Sequence, residues 1–374
     1  MSRLLVGTKK GLFVLDGEPD GGDFAITTRA FAGEPVDFAT KDPGSGRLLA
    51  TMTSPFYGPK IFYADTDAGD GEWEQAEGVA LPEGGEQALE RIWVITPGEA
   101  NGTVYAGGDP GVLFESRDGG LSWTLNAGLW EQPSRPDWQP GGGGLCLHSI
   151  CPWPGDPDRL ALAISAAGMW LTEDGGRSWE RGNAGLTPRY LPEEALANPN
   201  AGRCVHHVER APRRPERMFM QFHGGVYRSD DAGASWTDIG DGLPSDFGFP
   251  LMVDPADPDS AYLIPLVADM DRVTPDGRVR VYETRDAGAT WTARGDGLPA
   301  EDAYVTVLRQ AFCRAGEGDR LELYFGTTTG EVFCSADAGA TWARAASRLP
   351  PVYSVAAVNC PRPGPSSQTT RLTD

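Results

Sequence analysis

The chain of 374 residues contains no apolar run near the roughly 18 residues that cross a bilayer, so no transmembrane helix is predicted. Its first ten residues lack the apolar stretch of a secretory signal, and we therefore expect a cytoplasmic protein. No C-x-x-C pair occurs among the six cysteines, which are expected to be reduced thiols. Basic residues are scarce, with 32 Lys and Arg against 53 Asp and Glu and a formal net charge of -21. A field of that sign disfavours nucleic acid and anionic membranes as partners.

Glycine and proline, by contrast, are abundant. The chain has 49 glycines and 31 prolines, well above their usual joint share of roughly 12%. Apolar residues make up 40% of the chain, which is enough for a packed interior. Many turns between short elements favour an all-β fold over a helical one.

One pattern, S/T-x-D-x-G-x-S/T-W, occurs five times along the chain. Its Asp can accept hydrogen bonds from backbone amides further on, its Gly supplies a positive φ, and its Trp can pack back on neighbouring strands. The pattern therefore predicts a tight turn between two strands. The five copies are Ser116–Trp123, Thr172–Trp179, Ser229–Trp236, Thr284–Trp291 and Ser335–Trp342.

These segments resemble the Asp-box, or BNR repeat, of sialidase-like β-propellers. An aromatic residue precedes each copy, and two degenerate copies extend the series towards the start of the chain, with spacings of 49 to 57 residues. Seven repeats of about four strands predict a seven-bladed propeller over residues 1–360. The aromatic residues are Phe13, Phe62, Phe114, Trp170, Tyr227, Tyr282 and Phe333.

The two ends of the chain predict how the ring closes. Blade one has room for only one strand before Phe13, so it lacks its innermost strand. The β-rich run from Pro351 to Val358 has no blade of its own and is expected to supply that strand, which removes the open sheet edges. The polar, Pro-rich residues 361–374 are expected to form a disordered tail.

The resemblance is compatible with several kinds of activity. The family includes sialidases, xyloglucan hydrolases, sorting receptors and a photosystem assembly factor, so the fold alone does not give the function. The chain also resembles soluble bacterial seven-repeat proteins known as sialidase-like or glycosyl-hydrolase-like. It departs from true sialidases, which have six blades, an R-I-P motif and three arginines that grip a carboxylate. Here Glu90–Trp93 has no proline, which counts against a sialidase-type glycoside hydrolase.

The starts of the innermost strands can be aligned around the channel of the propeller. In this alignment one position of each strand lies at the same height, so its residues should be neighbours around one mouth. The seventh blade is left unassigned near Tyr304–Thr306. The aligned residues are Asp37, Arg91, His148, His206, Phe249 and Tyr353.

Histidine gives the sharpest clue to chemistry, because all four histidines fall in blades four and five. His148 and His206 belong to the aligned set, and His223 lies at a strand turn on the same face. Neutral imidazoles can bind a divalent transition metal, or they can act as general acid and base while Arg91 holds an anion. Hydrogen-bonded packing in a narrow channel is the structural alternative. His207 is expected to point the other way.

Four further residues are candidates for substrate binding. Asp37 and Tyr353 come from the aligned set, and Asp246 lies in a loop that leads to the same rim. Trp138 lies within the long connection from Asn126 to Leu145 and could either wall a pocket or hold its loop in place.

Two classes of function follow from these residues. The first is an enzyme of hydrolase or lyase type, with Arg91, His148, His206 and His223 in a mouth pocket, metal-dependent or not, acting on a small polar or anionic molecule. The second is a non-catalytic scaffold that presents one propeller face to a protein partner.

Overall fold

The computed structural model describes residues 1–65, 72–85, 87–196, 202–268 and 270–359. Within these residues the chain forms seven four-stranded antiparallel sheets, which are the blades of a seven-bladed β-propeller. No helix in this part of the chain is long and apolar enough to span a membrane. The predicted tail at 361–374 lies outside the described residues.

The strands are numbered along the chain. Blades one to three contain β1 (Ser2–Thr8), β2 (Gly11–Glu18) and β3 (Asp23–Ala30), then β4 (Val36–Lys41), β5 (Leu48–Ser54), β6 (Gly58–Ala64) and β7 (Glu74–Gln75), then β8 (Arg91–Pro97), β9 (Val104–Asp109), β10 (Val112–Ser116) and β11 (Thr124–Leu125). Blades four and five contain β12 (Leu147–Trp153), β13 (Asp156–Ile164), β14 (Gly168–Thr172) and β15 (Glu180–Arg181), then β16 (Val205–Arg210), β17 (Met218–Phe222), β18 (Gly225–Ser229) and β19 (Thr237–Asp238).

Blades six and seven contain β20 (Gly248–Val253), β21 (Ala261–Pro265), β22 (Val281–Thr284) and β23 (Thr292–Arg294), then β24 (Phe312–Ala315), β25 (Glu322–Gly326), β26 (Val332–Ser335) and β27 (Ala343–Ala346), and the chain ends in β28 (Val352–Asn359). The described helices are short: α1 (Ala127–Trp130), α2 (Glu193–Leu196) and 3-10 turns at Asp20–Gly22, Arg135–Asp137, Pro275–Gly277 and Gly318–Arg320.

The ring closes as the sequence predicts. Strand β28 pairs antiparallel with β1, from Ser2 opposite Asn359 to Thr8 opposite Val352, and so becomes the innermost strand of blade one. The sheet of blade one therefore combines both ends of the described chain, which leaves no gap in the ring.

Each of the five repeated turns joins the third and fourth strands of its blade, as predicted. In the first, the Asp118 carboxylate accepts hydrogen bonds from the Ser116 hydroxyl at 2.7 Å and from the Ser122 hydroxyl at 2.6 Å. Burial raises the pKa of Asp118, but these hydrogen bonds outweigh that effect and lower the pKa to about 2. The indole of Trp123 donates to the Gly120 carbonyl at 3.0 Å. The turn thus satisfies its own polar groups and is part of the scaffold.

The innermost strands carry β-bulges close to their first residues. In β4, β8, β12, β16 and β28 one residue is skipped in the pairing with the neighbouring strand, and in β20 two are skipped. Bulges of this kind re-aim side chains and are frequent beside active sites. We call the channel end at which these strands begin the upper mouth, and the opposite end the lower mouth. The skipped residues are Asp37, Trp93, His148, His206, Tyr353 and the pair Phe249–Pro250.

Candidate functional site

Three possible metal ligands meet at the upper mouth in blade five. Cys204 directly precedes β16 and His223 directly follows β17, and the pairing of Val205 with Phe222 places these two flanking residues opposite each other. The His223 amide donates to the Cys204 carbonyl at 3.0 Å and fixes this arrangement. The bulge in β16 adds His206 to the pair. One ligand atom from each of Cys204, His206 and His223 lies within 4.8 Å of the other two.

The tautomer of His206 suits a metal ligand. Its Nδ1 is 2.6 Å from the Gly248 carbonyl, so this nitrogen carries the proton and donates it, which makes Nε2 the nitrogen able to ligate. Burial lowers the pKa of His206 well below its ordinary value, and the nearby Arg309 charge lowers it further. The imidazole is therefore neutral, as ligation requires.

Aromatic rings hold the second imidazole of this group. The His223 ring lies 4.1 Å from that of Tyr190 and 5.2 Å from that of Phe247, measured between centroids. The His206 ring contacts Phe247 as well, at 5.2 Å, and Phe249 at 4.9 Å. These contacts restrict the orientation of both imidazoles, while Cys204 and His223 keep part of their surface open to solvent.

The chemistry of this donor set fits a transition metal. Zinc binds thiolate sulfur at about 2.3 Å and imidazole nitrogen at about 2.0 Å, which at tetrahedral angles separates the ligand atoms by roughly 3.3–3.5 Å. A spacing within 4.8 Å reaches that geometry with small side-chain rotations. One thiol and two imidazoles match zinc and its borderline-soft neighbours rather than magnesium or calcium.

His148, which the sequence analysis joined with His206 and His223, is not part of this group. Its side chain is fully buried, with Nδ1 3.0 Å from the Ser149 hydroxyl and Nε2 2.9 Å from the Val205 carbonyl. Gln310 also donates to the His148 carbonyl at 2.7 Å. Both ring nitrogens are engaged, so His148 links blades four and five, and Cys204 takes the place that the prediction gave it among the ligands.

Three predicted residues of the upper mouth do come together. Arg91 Nε lies 3.5 Å from Asp37 Oδ1, and the Thr53 hydroxyl donates to the same carboxyl group at 2.6 Å. Burial raises the pKa of Asp37, and the Arg91 charge opposes that rise. Burial also raises the pKa of Tyr353. The Arg91 charge opposes this rise and the Asp37 charge adds to it. Arg91 is thus part of a polar cluster beside the channel.

Arginines and aromatic rings alternate across the same mouth. Arg91 and Arg309 lie over the Trp93 ring, with Cζ 4.7 Å and 5.2 Å from its centroid. Arg309 and Arg272 lie over the Phe249 ring, at 5.3 Å and 5.6 Å. The sequence alignment put Arg91 in the position that the bulge gives to Trp93. Arg309 was not predicted, because the inner strand of blade seven was expected near Tyr304–Thr306, whereas β24 begins at Phe312.

The two loop residues have different places. Trp138 is only 4% exposed, packs 5.1 Å from the ring of Trp170 and donates from Nε1 to the Ser134 hydroxyl at 3.3 Å. It therefore holds its loop in the core and is removed from the candidate site. Asp246 is exposed and directly precedes Phe247, whose ring contacts both imidazoles of the metal-binding group, so it lies at the rim of the upper mouth.

A separate cavity opens at the lower mouth, with a volume of about 600 Å³. His207 and His148 line this cavity, whereas Cys204, His206 and His223 do not. Its wall includes an ion pair in which Arg314 Nη1 lies 2.5 Å from Glu209 Oε2. The five described cysteines, Cys146, Cys151, Cys204, Cys313 and Cys334, are free thiols.

No protein-family model and no curated protein matches this sequence. Solved structures share its fold at low identity. A putative 6-phosphogluconolactonase from Bacteroides fragilis has a TM-score of 0.58 at 10% identity, over 96% of this chain and 98% of that one. An ancestral GH74 enzyme has a TM-score of 0.53 at 18% identity over 80% of this chain, which spans only 36% of the GH74 enzyme. YCF48 bound to D1 peptide has a TM-score of 0.51 at 14% identity, over 87% of this chain and 84% of that one. The chain thus has the propeller fold of proteins that include enzymes.

Proposed function

We propose that this protein is a metal-dependent hydrolase whose active site is the upper mouth of the propeller channel, and that it acts on a small polar or anionic molecule. The observation that carries the proposal is the convergence of Cys204, His206 and His223 within 4.8 Å, a few residues from a row of arginines. Three protein ligands that leave a fourth position open are typical of catalytic zinc sites, whereas structural sites use four.

The residues of the upper mouth would have different roles in the proposed reaction. Cys204, His206 and His223 would hold the metal, which when bound would supply Lewis-acid activation of water or of a carbonyl group. The Gly248 carbonyl keeps the proton of His206 on Nδ1. The surrounding Phe247 and Phe249 rings limit the access of bulk water, which strengthens electrostatic contacts with a bound molecule.

The comparisons support an enzyme without fixing its substrate. Two of the similar folds are described as an ancestral GH74 enzyme and a putative 6-phosphogluconolactonase. A lactone is a cyclic ester, and its hydrolysis is a reaction that a metal site of this kind can promote. The Asp-box resemblance is compatible with such chemistry but does not require it.

The test begins with metal-stripped protein reloaded with Co²⁺, whose spectrum reports thiolate ligation. We expect binding of about one equivalent with a thiolate charge-transfer band, and loss of that band in Cys204→Ser. Cys313→Ser, which alters a thiol on the lower side of the channel, should keep it. Hydrolysis of 6-phosphogluconolactone and neutral esters is then followed with and without metal. Failure to bind stoichiometric metal would refute the proposal, as would equal hydrolysis by the stripped protein.

A scaffold function is the second candidate, favoured by exposed aromatic and apolar side chains on the face of the upper mouth. Phe56 and Tyr57 are 85% and 80% exposed in the turn after β5, whose Thr53 bonds to Asp37 at the mouth. Tyr304 is 63% exposed in the connection to β24. Adjacent exposed apolar side chains such as Phe56 and Tyr57 often mark an interaction site, and YCF48, a similar fold, is described as bound to D1 peptide.

This candidate predicts that Phe56→Ser with Tyr57→Ser abolishes capture of a partner protein by the immobilised chain and leaves metal binding intact. Ile26→Ser is the matched control, because Ile26 is 54% exposed in the outermost strand β3. A partner retained equally by all three proteins would not use this face.

A further inference from the structure

Arg309 is a cation for which the described residues supply no carboxylate partner. It lies in the connection before β24, half-buried at the upper mouth, and its Nε donates to the His206 carbonyl at 3.0 Å. Its other described contacts are the faces of the Trp93 and Phe249 rings. Among the described residues, no acidic side chain lies within ion-pair distance of its guanidinium, whereas Arg91 has Asp37.

Keeping such a charge in place costs free energy. Burial lowers the pKa of Arg309; negative charge on Cys146 and Cys204 opposes that shift, and the charges of Arg272 and Arg91 add to it. The chain carries 53 acidic residues, yet none of those described neutralises this guanidinium. A guanidinium that has no carboxylate partner among the described residues and lies near two further arginines in a partly desolvated mouth is an arrangement that an anionic ligand would complete.

We infer that Arg309 is the main recognition residue for an anionic group, a carboxylate or a phosphate, on a small molecule bound in the upper mouth. Because the two rings hold the guanidinium and Nε is engaged by His206, the two terminal Nη nitrogens are the donors left to face a ligand. Two parallel N–H donors match the paired oxygens of a carboxylate or phosphate.

The anion would bind beside the metal-binding group. Arg309 donates to the backbone carbonyl of His206, so the two sites share a residue, and a molecule held at Arg309 would place its remaining atoms near Cys204 and His223. That this anion belongs to a substrate rests on the proposed function. Binding of the anion does not, because it requires no metal.

The experiment therefore uses metal-stripped full-length protein and titrates it by calorimetry with inorganic phosphate and, separately, with malonate as the carboxylate probe. We expect saturable binding of at least one of them that weakens as chloride rises, and the tighter probe identifies the anion class. Arg309→Gln should weaken that binding at least tenfold. Arg309→Lys keeps the positive charge but loses the two parallel N–H donors, and it should weaken anion binding less than Arg309→Gln does.

Arg320→Gln is the matched control, because Arg320 is exposed in the turn between β24 and β25, at the lower-mouth end of blade seven. Its affinity for the anion should stay within about twofold of the unaltered protein. The inference is overturned if neither probe binds saturably, or if Arg309→Gln binds as tightly as Arg320→Gln while its thermal unfolding shows that it is folded. A failure of metal binding alone would remove the proposed function and leave this result standing.

Discussion

The His206→Ala variant is expected to bind Zn²⁺ at least a thousandfold more weakly than the unaltered protein. The substitution removes one of three ligands, and the loss of a partner that only orients a ligand already costs about ten- to a hundredfold. Removal of the ligand itself should exceed that range. Competition with a chromophoric chelator measures the affinity, and thermal unfolding of the metal-free protein shows whether the variant is folded.

The neighbouring residue supplies the control. His207 lies next to His206 in the chain but lines the cavity at the lower mouth, so His207→Ala should keep zinc affinity within about threefold. Equal losses in the two variants would mean that the change acts through the fold of β16 rather than through ligation. An unchanged affinity in a folded His206→Ala variant would show that the zinc is held elsewhere.

Truncation after Pro350 is expected to abolish cooperative folding. It removes β28, which pairs with β1 along its whole length and buries Val352, Val355 and Val358 between the blades. Each of these side chains contributes about 1.5–3 kcal/mol by burial, and the lost ladder exposes the edge of β1. Against a usual total of 5–15 kcal/mol, this loss leaves little native protein. Circular dichroism during heating measures whether a cooperative unfolding transition remains.

A second truncation tests the role of β28 directly. Ending the chain at Asn359 keeps the whole strand and should preserve a sharp transition at nearly the original temperature. A synthetic peptide of residues 351–359 added to the shorter chain should restore part of the transition, because an edge strand can accept a separate chain. A sharp transition in the protein that ends at Pro350 would show that the ring does not depend on this strand.

The architecture was predictable because a repeated local sequence pattern marks each of the later blades. Each copy of the turn satisfies its own hydrogen bonds, as Asp118 does with Ser116 and Ser122, so its position in a blade does not depend on distant residues. Seven regularly spaced copies then gave the number of blades, and the unpaired run near Val352 gave the closing strand. Membership of the Asp-box family stays a prediction from this resemblance.

The candidate site was predictable only in part. His206 and His223 could be placed from strand positions, but Cys204 was taken for an ordinary reduced thiol, since nothing in its local sequence shows which chain segment lies opposite. The pairing of Val205 with Phe222 decides this, and pairing is a long-range property. His148 illustrates the reverse error, because the contact of its Nε2 with the Val205 carbonyl depends on a neighbouring blade.

Bulges and loops explain the remaining differences. One skipped residue in β8 moves Trp93 into the position expected for Arg91, and no sequence pattern reveals the skip. Arg309 was overlooked because the inner strand of blade seven was expected near Tyr304–Thr306, whereas β24 begins at Phe312. A signal was present, since Arg309 and Gln310 stand just before β24, close to the strand start at which the other blades carry their mouth residues.

The extra residues at the starts of the inner strands have an evolutionary consequence. A skipped residue such as His206 makes no paired contact in the ladder, so its side chain can change without shifting the register of the strands around it. Ancestors of this chain could therefore exchange mouth residues one at a time while the pairing of the strands stayed unchanged. A laboratory library confined to positions 37, 93, 206, 249 and 353 should retain a high fraction of folded members while sampling new ligand preferences.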